Sequence, residues 1–150
     1  MASNPVAKLT AKDIMTTEFV SLNLDKTVQE SIEILINNQI SGAPILNQDN
    51  TLLGMVSEAD LMKFAAIEGL TATLGSCRHK LPSMEQLIFL YETDIFREIF
   101  KKFLTNSIRR IPVKNALGSL VGIISRRDIL KAFITQASEP PEEQPAPAQE

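Results

Sequence analysis

The sequence predicts a mixed α/β (α+β) fold made of two βαββα repeats. A shift of 68 residues aligns residues 20–64 with residues 88–132 without a gap, and eleven of the 45 aligned pairs are identical. Apolar, Pro and Gly positions stay in step along this alignment, which a chance match would rarely achieve. Within each copy the hydrophobic spacing changes from strand type to helix type and back. One such unit leaves apolar surfaces uncovered, so the two copies are expected to pack together.

The identical pairs include polar and conformationally special residues, so the repeat is more than a shared hydrophobic pattern. They are Leu22/Leu90, Glu30/Glu98, Asn38/Asn106, Ile40/Ile108, Pro44/Pro112, Asn47/Asn115, Leu52/Leu120, Gly54/Gly122, Ser57/Ser125, Asp60/Asp128 and Lys63/Lys131. Two units of one architecture are therefore expected.

Each repeat is predicted to begin with a short strand followed by an amphipathic helix. The strands are residues 19–22 and 87–90, where apolar and polar residues alternate in the first copy. The helices follow because apolar residues recur at helical spacing from Val28 to Ile36 in the first copy. Phe96, Phe100, Phe103 and Leu104 repeat that spacing in the second copy. We interpret both apolar helix faces as core packing.

A β-hairpin is predicted after the helix of each copy. Pro44 and Pro112 lie at its start, where a missing backbone N–H is tolerated. Polar turns then separate two apolar runs, which is typical of a hairpin. The predicted strands are residues 43–46 and 52–56 in the first copy and residues 111–114 and 120–124 in the second.

The predicted domain organisation follows from the repeat. A lead-in covers residues 1–18, the first repeat residues 11–68, a linker residues 69–80, the second repeat residues 81–136, and a tail residues 137–150. The tail is rich in Pro and Glu and has no hydrophobic periodicity, so it is expected to be disordered.

Composition restricts the class of protein. A chain of 150 residues with 44% hydrophobic residues is long enough to bury a core without disulfides or a metal. The single cysteine, Cys77, has no partner for an internal disulfide, which favours a reducing compartment. No apolar run is long enough for a membrane span or a secretory signal. We expect a cytoplasmic protein with no membrane association.

Charge is distributed unevenly along the chain. Residues 97–131 hold nine basic and two acidic residues, whereas residues 1–60 hold three basic and eight acidic residues. This asymmetry favours an anionic partner for the second half, although a solvated basic face would look the same. Nucleic acid is an alternative partner, but the chain has no Trp and only one Tyr for base stacking.

The pattern Gly-x-x-Ser-x-x-Asp occurs at residues 54–60 and again at residues 122–128. The Ser stands where it can cap a helix, whose free amides and dipole attract anions such as phosphate. The Asp lies one helical turn on and on the same side, where its carboxylate can accept hydrogen bonds from a ribose diol. A plain capping motif would use the same residues, but two copies at matched positions favour a ligand site.

These features resemble a tandem pair of cystathionine-β-synthase (CBS) domains, also called a Bateman module. The resemblance covers residues 11–135 and is carried by Asp13-Ile14-Met15-Thr16, Ile40-Ser41-Gly42-Ala43-Pro44-Ile45, Gly54-Met55-Val56-Ser57-Glu58-Ala59-Asp60-Leu61, Ile108-Arg109-Arg110-Ile111-Pro112-Val113 and Gly122-Ile123-Ile124-Ser125-Arg126-Arg127-Asp128-Ile129. It implies two repeats related by pseudo-twofold symmetry, with two clefts that bind adenine-containing ligands such as AMP, ADP, ATP, S-adenosylmethionine or NAD.

The resemblance also implies roles for individual residues. It assigns ribose contacts to Asp60 and Asp128, phosphate or ribose contacts to Ser57 and Ser125, the adenine edge to Ala43, Pro44, Ile111 and Pro112, and apolar walls to Ile40 and Ile108. Thr16 is expected in the site of the first repeat. Its aligned residue in the second repeat is Met84, so the second repeat departs from the family pattern there.

The residues between Ser and Asp distinguish the two clefts. They are Glu58-Ala59 in the first repeat and Arg126-Arg127 in the second. Since guanidinium groups suit phosphate oxygens, the Asp128 site is predicted to bind a nucleotide with at least one phosphate. The Asp60 site is predicted to be weaker, empty or suited to a neutral ligand. Arg110 and its neighbour Arg109 either assist at the Asp128 site or face solvent.

The sequence therefore predicts a stand-alone regulatory module, not an enzyme, that senses AMP, ADP or ATP and signals to a separate, unidentified partner protein. No cofactor or metal is expected, because the lone Cys77 and His79 are too few for a metal site. The resemblance implies a homodimer formed through helices, for which Phe64, Phe100, Phe103 and Phe133 are candidate contacts. A CBS pair binding S-adenosylmethionine or NAD, and a nucleic-acid-binding protein, remain alternatives.

Overall fold

The helices and strands follow the order that the repeats predict. The computed structural model describes residues 6–138. The helices are α1 (Ala11–Ile14), α2 (Val28–Asn37), α3 (Glu58–Ile67), α4 (Leu74–Cys77), α5 (Phe96–Asn106) and α6 (Arg126–Ser138), and a 3-10 turn covers Arg78–Lys80. The strands are β1 (Gly42–Leu46), β2 (Leu52–Ser57), β3 (Leu90–Tyr91), β4 (Arg110–Lys114) and β5 (Leu120–Ser125). Of the tail predicted to be disordered, only residues 137–138 lie within the described range, at the end of α6.

Two antiparallel hairpins form the centre of the fold. β1 pairs with β2, and β4 pairs with β5 in the same register, so that Pro44 lies opposite Met55 and Pro112 opposite Ile123. β3 adds to the outer side of β4 in parallel orientation. The predicted α/β (α+β) repeats are therefore confirmed.

The predicted first strand of each repeat is only partly correct. Residues 19–21 are not a strand, and Leu22 alone forms a parallel bridge with Ile45. The alternation at 19–22 has a different cause, since Phe19 packs between the repeats against Leu46, Leu52 and Leu120. In the second repeat the strand is two residues long and lies at Leu90–Tyr91 rather than at residues 87–90.

The two hairpin turns meet at the pseudo-twofold axis. Thr51 forms an antiparallel bridge with Ser119, which is its equivalent in the other repeat. The Leu120 amide donates to the Asn50 carbonyl at 2.9 Å, and the Leu52 amide donates to the Gly118 carbonyl at 3.2 Å. Because equivalent residues contact each other, the axis that relates the repeats passes through this bridge.

Each repeat completes its core with a segment from outside its own βαββα unit. Val6 and Ala11 of the lead-in are fully buried in the core of the second repeat. Leu74 and Cys77 of the predicted linker are fully buried in the core of the first repeat. The lead-in therefore crosses to the second repeat, and the linker folds back onto the first.

Among residues 6–138, no helix combines the length and the hydropathy that crossing a bilayer requires.

Candidate ligand-binding site

A cavity of about 530 Å³ lies between the two repeats. The lead-in, the first repeat and the second repeat all contribute to its wall. The lining residues are Thr16, Glu18, Phe19, Val20, Asn38, Ile40, Gly42, Arg110, Ile123, Ser125 and Asp128. Its size falls within the range of small-molecule sites, and it combines apolar walls with a few polar groups, as such sites do.

Asp128 is held by a capping box and by a contact from the lead-in. Its Oδ2 accepts hydrogen bonds from the Ser125 amide at 2.8 Å and the Ser125 hydroxyl at 3.0 Å. Its Oδ1 accepts a hydrogen bond from the Thr16 hydroxyl at 3.0 Å. An ionised carboxylate offers about four lone-pair positions. With three of them used, about one remains for a ligand hydroxyl unless Thr16 or Ser125 turns away.

Thr16 lies in the Asp128 site, so its predicted assignment to the site of the first repeat is wrong. Its amide donates to the Ile123 carbonyl at 2.8 Å, and the Ile123 amide donates back to the Thr16 carbonyl at 3.0 Å. The lead-in thus forms a short antiparallel contact with the outer edge of β5. The misassignment came from chain order, because the lead-in precedes the first repeat but packs on the second.

Arg110, the first residue of β4, places a cation in the wall of the cavity. Its Nη1 donates to the Gly42 carbonyl at 2.8 Å and its Nη2 to the Ser41 hydroxyl at 3.0 Å. Burial, and secondarily the neighbouring Arg109, lowers the pKa of Arg110 from its usual value, while Glu58 acts in the opposite direction. Arginine nevertheless stays protonated in proteins, so Arg110 carries positive charge here.

The position equivalent to Arg110 in the first repeat is Gly42. A Cβ atom added at Gly42 would lie 2.9 Å from the Val56 carbonyl oxygen, so no side chain fits there without a shift. The first repeat therefore has no basic side chain equivalent to Arg110.

Arg126 and Arg127 do not line this cavity. The Arg126 Nε donates to the Ile108 carbonyl at 2.9 Å, and both residues are exposed on the first turn of α6. Among the residues expected at the adenine edge, Ala43, Pro44, Ile111 and Pro112 are buried within the hairpins. Ile40 lines the cavity and Ile108 does not.

Ser57 and Asp60 repeat the local geometry of Ser125 and Asp128 but not its surroundings. The Asp60 Oδ2 accepts from the Ser57 amide at 2.8 Å and from the Ser57 hydroxyl at 2.9 Å. No Thr16-like donor reaches Asp60 from elsewhere in the described residues. Ser57 and Asp60 line neither the Asp128 cavity nor two further cavities, one beside Leu53 and Met84 and one beside Leu22 and Asn47.

The described residues contain no cluster of three or more His, Cys, Asp or Glu side chains that could hold a metal ion. Cys77 is a buried free thiol in the core of the first repeat.

A family profile described as CBS domain matches residues 11–67 and residues 83–135. The chain belongs to the CBS domain family. It is 30% identical over 152 residues to the uncharacterized protein MJ1426 of Methanocaldococcus jannaschii, with 82% of this chain and 90% of that protein aligned.

Other CBS proteins are similar over most of the chain. It is 29% identical over 133 residues to the chloroplastic CBS domain-containing protein CBSX1 of Arabidopsis thaliana, which covers 72% of this chain and 56% of CBSX1. The chain therefore spans little more than half the length of that relative. The crystal structure of CBSX2 in complex with AMP superposes with a TM-score of 0.72 at 22% identity, covering 85% of this chain and 97% of CBSX2. That likeness shows the CBS-pair fold.

Several residues that line the cavity of this CBS pair were not anticipated. The sequence predicts that Glu18, Phe19 and Val20 belong to a lead-in and a strand and that Asn38 belongs to a helix, whereas the structure has all four in the cavity wall. Asn38 had a signal in the sequence, because it is identical to Asn106. Both side-chain amides donate to the carbonyl four residues earlier, at 2.8 Å and 2.9 Å, so this identity reflects how the two CBS helices end.

Proposed function

We propose that this CBS pair is a regulatory module and that the Asp128 cavity binds an adenine nucleotide carrying at least one phosphate. The observation that carries the proposal is the convergence of an acid and a guanidinium on one cavity, with Asp128 and Arg110 both in its wall. The AMP complex of CBSX2 supports the ligand class, because that protein shares the CBS-pair fold.

The chemistry of the lining residues matches the parts of such a ligand. The free acceptor position of Asp128 suits a ribose hydroxyl. Ile40 and Val20 offer apolar surface to a base, and the Arg110 guanidinium offers a planar donor pair to phosphate oxygens. In this arrangement Arg110, rather than Arg126 or Arg127, supplies the positive charge that the sequence predicts for this site.

Regulation would arise because the ligand competes with hydrogen bonds that join the two repeats. Arg110 belongs to the second repeat and hydrogen-bonds Ser41 and Gly42 of the first. A phosphate that draws this guanidinium into the cavity competes with those bonds, so ligand binding and the relative position of the repeats are linked. A partner protein that contacts both repeats would sense the difference.

Calorimetry with paired variants tests the ligand. We expect Asp128→Ala to weaken AMP, ADP or ATP binding by about tenfold to a hundredfold, which corresponds to the loss of a charged hydrogen bond. Asp60→Ala is the matched control, because it removes the same capping interaction at a position outside the cavity. Equal affinities for the wild type and Asp128→Ala would contradict the proposal. A panel that adds S-adenosylmethionine and NAD separates the alternative ligands.

We also propose a homodimer formed through exposed apolar helix faces. Two of the four phenylalanines expected at this interface are buried and do not contribute to it. Phe64 and Phe103 are 2% and 7% exposed and belong to the two cores. Ile36, Met62 and Leu104 are each more than 60% exposed and offer apolar surface instead. Light scattering on Met62→Lys/Leu104→Lys should report a monomer where the wild type is a dimer.

The structure gives a reason to rank nucleic-acid binding second. Four of the nine basic residues in the range 97–131 already make hydrogen bonds or cation–π contacts within the protein. Lys102 donates to the Phe89 carbonyl, Lys114 lies 3.7 Å from the centre of the Phe89 ring, Arg110 bonds Gly42 and Arg126 bonds Ile108. A filter-binding titration with duplex DNA should therefore show no steep dependence on salt. A cytoplasmic location remains part of the proposal.

A further inference from the structure

A second cavity of about 530 Å³ lies beside β2 and shares no lining residue with the Asp128 cavity. Most of its wall is apolar and comes from Leu24, Ile45, Leu53, Leu81 and Met84. Two basic side chains, Arg78 and His79, line it as well, and both residues are exposed. The function proposed above does not use this cavity.

The cavity lies where the two repeats differ. Counted from the helix-capping residues Thr10 and Thr73, Arg78 occupies the position of Met15. His79 occupies that of Thr16, so the structural counterpart of Thr16 is His79 and not Met84, which the 68-residue shift aligns with it. In the second repeat Met15 packs onto Gly122, where a Cβ atom would lie 2.5 Å from its sulfur. Gly54 is the equivalent of Gly122, and a Cβ atom there would meet nothing within 4 Å. The strand edge that the lead-in covers in the second repeat is therefore left uncovered in the first.

The charges around this cavity are unbalanced. None of its lining residues is acidic. The acid Glu68 forms an ion pair with Lys80 and also interacts electrostatically with His79, a lining residue of the cavity. Among the described residues, Arg78 has no ion pair and no side-chain hydrogen bond. An anionic group at Arg78 would gain a charge-assisted contact without displacing an existing one.

We propose that this second cavity binds an amphipathic anion, with a carboxylate or phosphate group at Arg78 and His79 and an apolar chain along Leu53 and Met84. Burial of the chain against the apolar wall supplies the affinity, and the cationic rim fixes the orientation. The site is independent of the nucleotide at Asp128.

The test uses octanoate, octyl phosphate and 1-octanol as probes on the full chain labelled with ¹³C at the methionine methyl groups. We expect octanoate or octyl phosphate to shift the Met84 methyl signal in a saturable way, with that signal assigned through Met84→Leu. Shortening octanoate to hexanoate should weaken binding by about fourfold for each methylene removed. The better of the two anions identifies the headgroup.

Charge variants complete the test. Arg78→Gln/His79→Gln should weaken octanoate binding at least tenfold, while Arg97→Gln, an exposed arginine in the other repeat, should leave it unchanged. A Met84 signal that does not respond, equal binding of octanol and octanoate, or an unaffected double variant would each overturn the proposal. Asp128→Ala should bind octanoate normally, so failure at one cavity is distinguishable from failure at the other.

Discussion

Asp60 and Asp128 accept the same pair of hydrogen bonds from the preceding Ser. Only Asp128 has a third donor, Thr16, and only Asp128 lines the inter-repeat cavity. Asp60 and Asp128 therefore share the same local hydrogen bonds, but only Asp128 is placed to contact a ligand in the cavity. The difference depends on which distant segment lies against them.

The same contrast applies to the paired glycines and gives a stability prediction. Gly122→Ala forces Met15 out of its place in the core of the second repeat, which should cost about 1–3 kcal/mol. Gly54→Ala meets open space and lowers the entropy of the unfolded chain, so stability should be unchanged or should rise by up to about 1 kcal/mol. Urea unfolding of both variants measures the difference, and equal midpoints would contradict it.

At the scale of elements, the repeated polar residues are explained by local hydrogen bonding. The side chain of Asn47 accepts from the amides of Asp49 and Thr51, and that of Asn115 accepts from the amides of Leu117 and Ser119. Turns and caps of this kind depend on neighbours in sequence, which is why the repeat predicted them correctly.

The two serine caps should contribute equally to stability. Ser57→Ala and Ser125→Ala each remove the acceptor for the amide of the Asp at the third helical position, at 3.2 Å in both repeats. We expect a loss of about 1 kcal/mol from each variant. Thermal unfolding measures the loss, and AMP calorimetry should show reduced affinity for Ser125→Ala alone.

Helix α2 has a capping box that depends on pH. The hydrogen bond from the Thr27 amide, together with the Thr27 hydroxyl, lowers the pKa of Glu30 below its usual 4.5. A carboxylate with a lowered folded-state pKa stabilises the protein above the unfolded value, and that contribution is lost as the pH falls through the folded value. Glu30→Gln should therefore show a smaller loss of stability below pH 4.5 than the wild type, measured by unfolding at a series of pH values.

On the scale of the whole molecule, polar contacts at defined positions join the repeats beside the apolar cluster of Leu46, Leu52 and Leu120. The hairpin turns pair through Thr51 and Ser119, and the lead-in binds the edge of β5 through Thr16. Arg110 is the polar link between the two halves of the cavity. Stability and ligand response should therefore both be sensitive to this arginine.

Replacement of Arg110 tests that link. Arg110→Ala loses two hydrogen bonds from a half-exposed charged group, and we expect a cost of about 1.5 kcal/mol. Arg110→Lys keeps the charge but not the planar pair of donors, so it should restore part of the AMP affinity and little of the stability. Urea unfolding and calorimetry measure the two effects, with the exposed neighbour Arg109→Ala as the control. An Arg110→Ala variant as stable as Arg109→Ala would refute this role.

The sequence alone determined the two repeats, the hairpins, the caps at Ser57 and Ser125 and the family, because these follow from patterns of residues a few positions apart and from their recurrence 68 residues later. Only the tertiary structure decided that Thr16 lies beside Asp128, that Arg110 rather than Arg126 reaches the cavity, and that the Asp60 side differs. These contacts join residues about 70 to 110 positions apart in the chain. The hydrophobic pattern requires each core to be covered but does not state which segment covers it, so crossing of the lead-in to the second repeat is visible only in three dimensions.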